Sequence, residues 1–304
     1  MKEVCFGVDI GGTTVKLGLV SREGDLLDKR EFPTFRDVEA TFDDIAGHMR
    51  QVLDAFPGCI CVGAGVGVPG PVVEQSKVIH CANLGWRDVN IAQELSGRAD
   101  VPVRVANDAN LAALGESWQG GGKGCRNLVL FTVGTGVGGG IICDGHIIAG
   151  ASGGGGEVGH MPVPFHTDWQ CGCGKLGCLE VTASATGIIR AAREYPPFSE
   201  MDTVTAKDVY DAAAAGDENA RRVVEEAGSA LGMAAAILGC VVNPEMVLLG
   251  GGVSAAGRAL LDPVEAAFKQ NVFPPCSDVR FALAQLGNNA GIFGGAALFF
   301  TQSA

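Results

Sequence analysis

Two strand–glycine–strand segments constrain the fold of this chain more than any other feature. Apolar runs at 4–8 and 15–20 flank a Gly-Gly-Thr-Thr turn, and runs at 127–133 and 140–143 flank a second glycine-rich loop. Without Cβ atoms, such a turn lets the backbone approach a ligand closely, and successive N–H groups form a concavity that binds anions. Because one hairpin starts each half of the chain, the pattern indicates a duplicated fold with two phosphate-binding turns.

The segments between and after the hairpins alternate strands with helices. Helical spacing of apolar residues appears at 38–56 and 217–239, and buried strands are predicted at 60–68 and 246–249. This alternation predicts an α/β architecture. A chain of 304 residues is long enough for two lobes, each with its own core.

Composition narrows the class of protein. With 47% hydrophobic and 18% charged residues, the chain is neither disordered nor fibrous. The net charge of −12 argues against nucleic acid as a partner, since that binding depends on Lys and Arg neutralising phosphates. The uncharged stretch 128–143 is dense in glycine and shorter than the roughly 18 residues of a membrane span, so it is predicted to be a buried strand pair. With no signal-peptide pattern, we expect a cytoplasmic protein with no membrane partner.

Glycine is in surplus, at 46 residues, and we predict that much of it lies where backbone meets a bound ligand, including 63–70. Residues 134–139 and 65–70 formally match the dinucleotide pattern G-x-G-x-x-G. In a Rossmann fold that turn leads into a helix, whereas here the first match leads into a strand and Pro69 interrupts the second. Neither match predicts a dinucleotide site. Asp9, just before the first glycine turn, is a carboxylate suited to a phosphate-bound Mg²⁺.

Three thiols lie close together at Cys171, Cys173 and Cys178, separated by glycines that permit sharp turns. Thiols in this spacing are typical of a zinc site, and His160 or His166 would complete a tetrahedral set of three Cys and one His. Because such a set leaves no coordination position open, we expect a structural Zn²⁺ rather than a catalytic one.

Six motifs, in this order along nearly the whole chain, resemble those of the ROK sugar kinases. They are Asp-Ile-Gly-Gly-Thr at 9–13, Gly-Val-Pro-Gly-Pro at 67–71, Asn-Asp-Ala-Asn at 107–110, Thr-Val-Gly-Thr-Gly-Val-Gly-Gly-Gly at 132–140, Gly-Glu-Val-Gly-His at 156–160 and Cys-Gly-Cys-Gly-Lys-Leu-Gly-Cys-Leu-Glu at 171–180. Position 14 departs from the family pattern, with Thr where many relatives have Lys or Asn.

The resemblance implies a fold and a division of the chain. The fold is the actin-like ATPase (ribonuclease H-like) type, a duplicated α/β architecture of two lobes with the active site in the cleft. The small lobe is expected at 1–108 together with a C-terminal helix at 290–304. The large lobe is expected at 109–289 and would carry the zinc-binding loop.

The resemblance also implies Mg²⁺-ATP as the nucleotide. The residues implied to bind it are Asp9, Gly11, Gly12 and Thr13 in the first hairpin, Thr135 and Gly136 in the second, and Gly250 and Gly251 near the adenosine.

For the sugar, the family pattern implies contacts from both halves of the chain. The implied sugar-binding residues are Gly67, Asn83, Asn107, Asp108, Glu157, His160 and Glu180. Asp108 is the implied general base, which takes the proton of the acceptor hydroxyl. From its position before a helix, Asp108 is also a candidate N-cap, and the two roles are compatible. The family pattern favours His160 over His166 as the fourth zinc ligand.

The implied activity is ATP-dependent phosphorylation of a hexose at its 6-hydroxyl, with glucose as the favoured sugar. N-acetylmannosamine, N-acetylglucosamine and fructose are alternative sugars, and ADP or polyphosphate are alternative donors. A ROK protein that senses a sugar without catalysis is the alternative from another class. Relatives are often dimers or tetramers, so we expect a homo-oligomer.

Overall fold

The computed structural model describes residues 1–302, which form thirteen strands and nine α-helices. The strands are β1 (Lys2–Ile10), β2 (Thr14–Ser21), β3 (Leu26–Pro33), β4 (Cys59–Val68), β5 (Val72–Val73), β6 (Lys77–Cys81), β7 (Trp86–Asn90), β8 (Val103–Asn107), β9 (Leu128–Val133), β10 (Val137–Cys143), β11 (His146–Ile147), β12 (Met246–Gly250) and β13 (Arg280–Leu283). The helices are α1 (Val38–Ala55), α2 (Ile91–Ala99), α3 (Asp108–Gln119), α4 (Leu179–Ala183), α5 (Ala185–Ala192), α6 (Ala206–Ala215), α7 (Glu218–Val242), α8 (Arg258–Asn271) and α9 (Ala290–Phe300).

Two sheets of five strands repeat one topology within the described residues. The strand order is β3-β2-β1-β4-β8 in the first sheet and β11-β10-β9-β12-β13 in the second. Numbered along the chain within each sheet, both orders read 3-2-1-4-5. In the first sheet β1 pairs antiparallel with β2 and parallel with β4, and in the second β12 pairs in parallel with β9 and β13. The repetition confirms the duplicated α/β fold.

By contact, the chain divides into two compact units. Unit 1 comprises Met1–Arg126, Gly140–Gly156 and the chain from Leu286 on, and unit 2 comprises Asn127–Gly139 and Glu157–Gln285. Helix α3 thus groups with unit 1, although the sequence places the start of the larger lobe at residue 109.

Helix α3 groups with unit 1 because it packs against α9 at backbone distance. A Cβ on Gly294 would lie 1.8 Å from the carbonyl oxygen of Leu111, and one on Gly115 would lie 2.3 Å from that of Ala290. Such close approach is open only to glycine. The two helices are therefore fixed to each other by glycines on both of their facing surfaces.

Helix α9 also crosses the first sheet at close range. A Cβ on Gly7 would lie 1.9 Å from the carbonyl oxygen of Ile292, and one on Gly65 would lie 2.0 Å from that of Gly295. Gly65 belongs to the 63–70 stretch that the sequence analysis assigned to ligand contacts. That assignment is wrong for Gly65, because its missing side chain makes room for a helix.

The other face of the first sheet carries the largest part of the unit 1 core. Phe6 of β1 is fully buried among side chains from α1 and α2, including Phe42 and Leu95. Phe42 meets the ring of Trp86 edge-on, with ring centroids 5.6 Å apart. Trp86 begins β7 of a three-stranded sheet, ordered β5-β6-β7, which the sequence analysis did not predict.

Helix α7 is the central helix of unit 2 and packs along α8. A Cβ on Gly232 would lie 2.3 Å from the carbonyl oxygen of Val264. Among the described residues, α7 is the one helix long and apolar enough to cross a membrane, and 67% of its apolar window is buried within the protein. Its apolar composition therefore fits a core helix.

Candidate active site

Three sequence-predicted residues of unit 1 lie at the carboxyl ends of parallel strands. Asp9 is the penultimate residue of β1, Gly67 is the penultimate residue of β4, and Asp108 directly follows β8. The pairings of β1 with β4 and of β4 with β8 are parallel. Open α/β sheets bind ligands at this edge, and a Cβ on Gly67 would lie 3.6 Å from the Cα of Asp108.

Asn107, rather than Asp108, caps helix α3. Its Oδ1 accepts hydrogen bonds from the N–H groups of Ala109 (2.9 Å) and Asn110 (3.1 Å), and its Nδ2 donates to the carbonyl of Gly70 at 3.3 Å. Asp108 is the first residue of the helix, and its Oδ1 accepts from Ala109 at 2.9 Å. The helix is thus capped by Asn107, and the cap does not require the carboxylate of Asp108.

Burial raises the pKa of Asp108, against the opposing effect of hydrogen bonds from Ala109 and Asn107 that favour the charged form. Burial likewise raises the pKa of Asp9, where the charge of Asp108 adds to the shift and Lys16 opposes it. Lys16 Nζ lies 3.8 Å from Asp9 Oδ2. The charge of Asp108 thus disfavours the charged form of Asp9, and a cation beside these carboxylates would be stabilised.

The first glycine hairpin is exposed at its tip. Gly12 and Thr13 are exposed, and Gly11 donates its N–H to the carbonyl of Thr14 at 3.0 Å. Thr34 braces the turn, since its hydroxyl donates to the carbonyl of Gly11 at 2.8 Å and its N–H to that of Thr13 at 3.0 Å. Asn83 is also exposed, and a Cβ on Gly12 would lie 3.5 Å from its Cβ.

The second hairpin belongs to unit 2 at its turn. Thr135 is exposed there, and the N–H of Gly134 donates to the carbonyl of Gly136 at 2.9 Å. Helix α5 supports the turn, because Ala185 donates its N–H to Gly134 at 2.8 Å and the Thr186 hydroxyl donates to Thr135 at 2.8 Å.

A cavity of 580 Å³ opens beside this hairpin, a size typical of small-molecule sites. Its lining residues are Gly134, Thr135, Ala185, Ala206, Lys207, Tyr210, Asp211, Gly252, Val253, Ala255 and Ala256. Tyr210 is the aromatic member of this set, a residue that the sequence analysis missed. It comes from α6, far from the glycine motifs in sequence, so no local pattern marks it.

Gly250 and Gly251 do not line this cavity. Gly250 ends β12, where a Cβ would lie 3.0 Å from that of Ala284. Gly251 has a φ of +82°, and a Cβ there would lie 2.4 Å from the carbonyl oxygen of Val133. The two glycines therefore shape the turn after β12, and the following residues, from Gly252 on, form the cavity wall.

The four predicted zinc ligands come together in unit 2. One ligand atom from each of His160, Cys171, Cys173 and Cys178 lies within 4.8 Å of the others. His160 Nδ1 is 3.6 Å from Cys171 Sγ, and the Sγ atoms of Cys173 and Cys178 are 3.7 Å apart. A tetrahedral zinc site with Zn–S near 2.3 Å and Zn–N near 2.0 Å has edges of about 3.5–3.8 Å, so the donor set fits zinc.

His166, the rival fourth ligand, lies elsewhere. Its ring stacks on Trp169 with centroids 3.8 Å apart, and its Nε2 is 3.4 Å from a carboxylate oxygen of Glu226. His160 instead turns Nδ1 toward Cys171 and Nε2 toward Glu157, whose Oε2 is 3.9 Å away. A carboxylate on the second ring nitrogen is typical of metal-bound histidine.

Glu157 and Glu180 occupy different settings. Glu157 is exposed and reaches His160. Glu180 is half-buried, and its Oε2 accepts a hydrogen bond from the N–H of Val137 at 3.1 Å. The sugar-binding residue expected at position 180 is therefore also a contact of the second hairpin.

Residues 5–302 match the ROK family, so the chain belongs to the ROK family, as its motifs indicated. The glucokinase of Halalkalibacterium halodurans is 40% identical over 311 residues, covering 95% of this chain and 92% of that protein. The glucokinase of Thermotoga maritima is 35% identical, with 96% of each chain covered.

A solved structure extends the similarity to three dimensions. The ROK family glucokinase from Streptomyces griseus in complex with glucose and AMPPNP superposes with a TM-score of 0.76 at 31% identity. The match covers 98% of this chain and 100% of that one. The actin-like ATPase fold expected from the motifs is thereby confirmed.

Proposed function

We propose that this chain is an ATP-dependent glucokinase that transfers the γ-phosphoryl group of ATP to the 6-hydroxyl of glucose. One observation carries the proposal. Asp108 presents a half-buried carboxylate at the ligand-binding edge of the first sheet while Asn107 caps the adjacent helix. The glucokinase relatives, similar over nearly the whole chain, favour glucose as the acceptor.

Asp108 acts as the general base. In the reaction the O6–phosphorus bond forms, the bond from phosphorus to the β–γ bridging oxygen breaks, and the hydroxyl proton passes to Asp108. Burial, which raises the pKa of Asp108, brings its basicity closer to that needed near neutral pH.

Mg²⁺-ATP binds along the glycine hairpins, with its phosphates on backbone N–H groups of Gly11, Gly12, Thr135 and Gly136. Asp9 supplies a carboxylate oxygen toward Mg²⁺, a hard cation that prefers such ligands. The charge of Asp108, which contributes to the raised pKa of Asp9, supports a cation here. The nucleoside occupies the 580 Å³ cavity, where the Tyr210 ring contacts the base.

A structural Zn²⁺ is held by His160, Cys171, Cys173 and Cys178. Zn²⁺ held by these four side chains would crosslink a loop with little regular structure and would fix the orientation of the His160 ring. The other ring nitrogen, near Glu157, then has a set direction toward a sugar hydroxyl. Gly67, Asn83 and Asn107 complete the proposed sugar contacts.

The protein works in the cytoplasm as a homo-oligomer, a dimer or a tetramer. Ile237 and Val241, four residues apart on α7, are 43% and 73% exposed, and this exposed apolar pair supports association. Light scattering of the purified protein measures the oligomeric state, and a monomer at micromolar concentration would contradict this part of the proposal.

A coupled assay over a panel of sugars and donors tests the proposal. We expect the highest kcat/KM with glucose and ATP. A clear preference for N-acetylmannosamine, N-acetylglucosamine or fructose would replace glucose as the substrate, and a preference for ADP or polyphosphate would replace ATP. Sugar binding without any phosphoryl transfer would identify a sensor instead of an enzyme.

A further inference from the structure

The segment 157–180, here called the zinc loop, contacts both the N–H and the carbonyl of Val137 in the second hairpin. Glu180 Oε2 accepts the hydrogen bond of the Val137 N–H at 3.1 Å. Gly159 packs so closely on the same residue that a Cβ would lie 1.8 Å from the Val137 carbonyl oxygen. Both polar backbone groups of Val137 are thus in contact with the zinc loop.

Gly136 shows how closely the carboxylate approaches the turn. A Cβ at this position would lie 2.3 Å from Glu180 Oε2. Helix α5 supports the hairpin at Gly134 and Thr135. The half of the turn that begins at Gly136 is therefore positioned by Glu180.

Both points of contact are adjacent to proposed zinc ligands. Gly159 directly precedes His160, and Glu180 follows Cys178 by two residues. Holding His160 and Cys178 in place therefore restrains the two contacts that hold Val137.

We propose that the zinc loop sets the conformation of the nucleotide-binding hairpin, with Glu180 as the positioning residue that links the two. The inference rests on the proposed function, because it requires a nucleotide to bind at this hairpin. A hydrogen bond from a backbone N–H to a carboxylate is charge-assisted and stronger than a neutral one. Losing it frees the turn, and the nucleotide must then order the turn on binding, which lowers affinity.

Titration calorimetry with Mg²⁺-AMPPNP, in the absence of any sugar, tests the link. We expect Glu180→Ala to weaken nucleotide affinity by about tenfold, the range for a lost hydrogen bond to a charged group. Glu180→Gln keeps an oxygen that can accept from Val137 but loses the charge assistance, so its affinity is expected to fall less than that of Glu180→Ala. Leaving the sugar out separates this effect from any sugar contact of Glu180.

Two further samples test the role of the zinc loop as a whole. Gly159→Ala keeps all four ligands, so we expect it to retain one zinc per chain by metal analysis yet to bind Mg²⁺-AMPPNP more weakly than wild type. Wild-type protein treated with a zinc-selective chelator, with Mg²⁺ in excess and folding checked by circular dichroism, is expected to lose nucleotide affinity as well.

Unchanged nucleotide affinity in Glu180→Ala and in the folded zinc-free protein would overturn this inference but would leave the proposed function intact. A wild-type protein that fails to bind Mg²⁺-AMPPNP would overturn the proposed function, and the inference with it.

Discussion

The two glycine hairpins occupy equivalent places in two copies of one sheet topology, yet their surroundings differ. The first hairpin lies in the unit that carries Asp9 and Asp108, two carboxylates with raised pKa values. The second lies beside an apolar cavity and is held by the zinc loop through Glu180. The first copy therefore carries two acids at its strand ends, and the second carries a cavity and a loop with a Cys/His cluster.

Equivalent strand positions show where the two copies diverged. The penultimate residue of β1 is Asp9, and that of β9 is Thr132. The residue after β8 is Asp108, and the residue after β13 is Ala284. Both copies keep the backbone turn that suits phosphate, while of these strand-end positions only those of unit 1 carry an acid. The shared feature is thus the turn, and the different features are the side chains at the strand ends.

If the acids of unit 1 perform the chemistry, Asp108→Asn lowers kcat by about 10²–10⁴-fold, the range for loss of a general base. Stability is not expected to fall, because a carboxyl whose pKa is raised by burial is destabilising in its charged form. Steady-state kinetics and a thermal melt measure the two effects. The exposed Asp278→Asn is the matched control, and a kcat for Asp108→Asn near wild type would refute the base assignment.

For unit 2, Cys171→Ser is expected to remove the zinc and lower the free energy of unfolding by about 4 kcal/mol, as for other losses of a structural metal. Zinc content by metal analysis and chemical denaturation measure both quantities. Cys276→Ser, outside the cluster, should retain metal and stability. If wild-type protein prepared with zinc binds none, the difference between the two hairpins cannot depend on the metal.

The pH dependence of kcat/KM tests the role of Asp108 as the base. Asp108 acts as a base only when unprotonated, so kcat/KM is expected to fall about tenfold per unit as pH drops below its pKa. Because burial raises that pKa, the fall should begin above the pKa of about 3.9 of an ordinary Asp. Raised carboxyl pKa values add stability toward low pH, so Asp9 and Asp108 do not themselves unfold the protein there. A flat profile to pH 4, with zinc retained, would contradict this role.

Substitution of Tyr210 tests whether the nucleoside binds in the cavity beside the second hairpin. Tyr210→Leu removes the ring face and is expected to raise KM for ATP by about 2–10-fold, the range for aromatic contacts, with KM for the sugar unchanged. Tyr195, the other tyrosine of the chain, does not line the cavity. Tyr195→Leu should leave both KM values as in wild type. An equal rise in KM for ATP in both variants would contradict nucleoside binding in this cavity.

The sequence predicted most of what depends on short-range pattern. The glycine turns, the spacing of Cys171, Cys173 and Cys178, and the alternation of helices with strands are local features, and the structure has each of them. Tyr210 could not be predicted, because its place beside Thr135 depends on how α6 packs rather than on any motif. The role of Gly7 and Gly65 could not be predicted either. A glycine that allows a helix to pack closely cannot be distinguished in the sequence from one that allows a phosphate to bind.

Phosphorus NMR of the wild-type protein with Mg²⁺-ATP and glucose measures phosphoryl transfer to the sugar directly. We expect ADP and glucose 6-phosphate to appear in equal amounts, with little ADP formed when glucose is left out. Release of ADP and inorganic phosphate at the same rate with and without glucose, or no turnover at all, would contradict the assignment of this chain as a glucokinase.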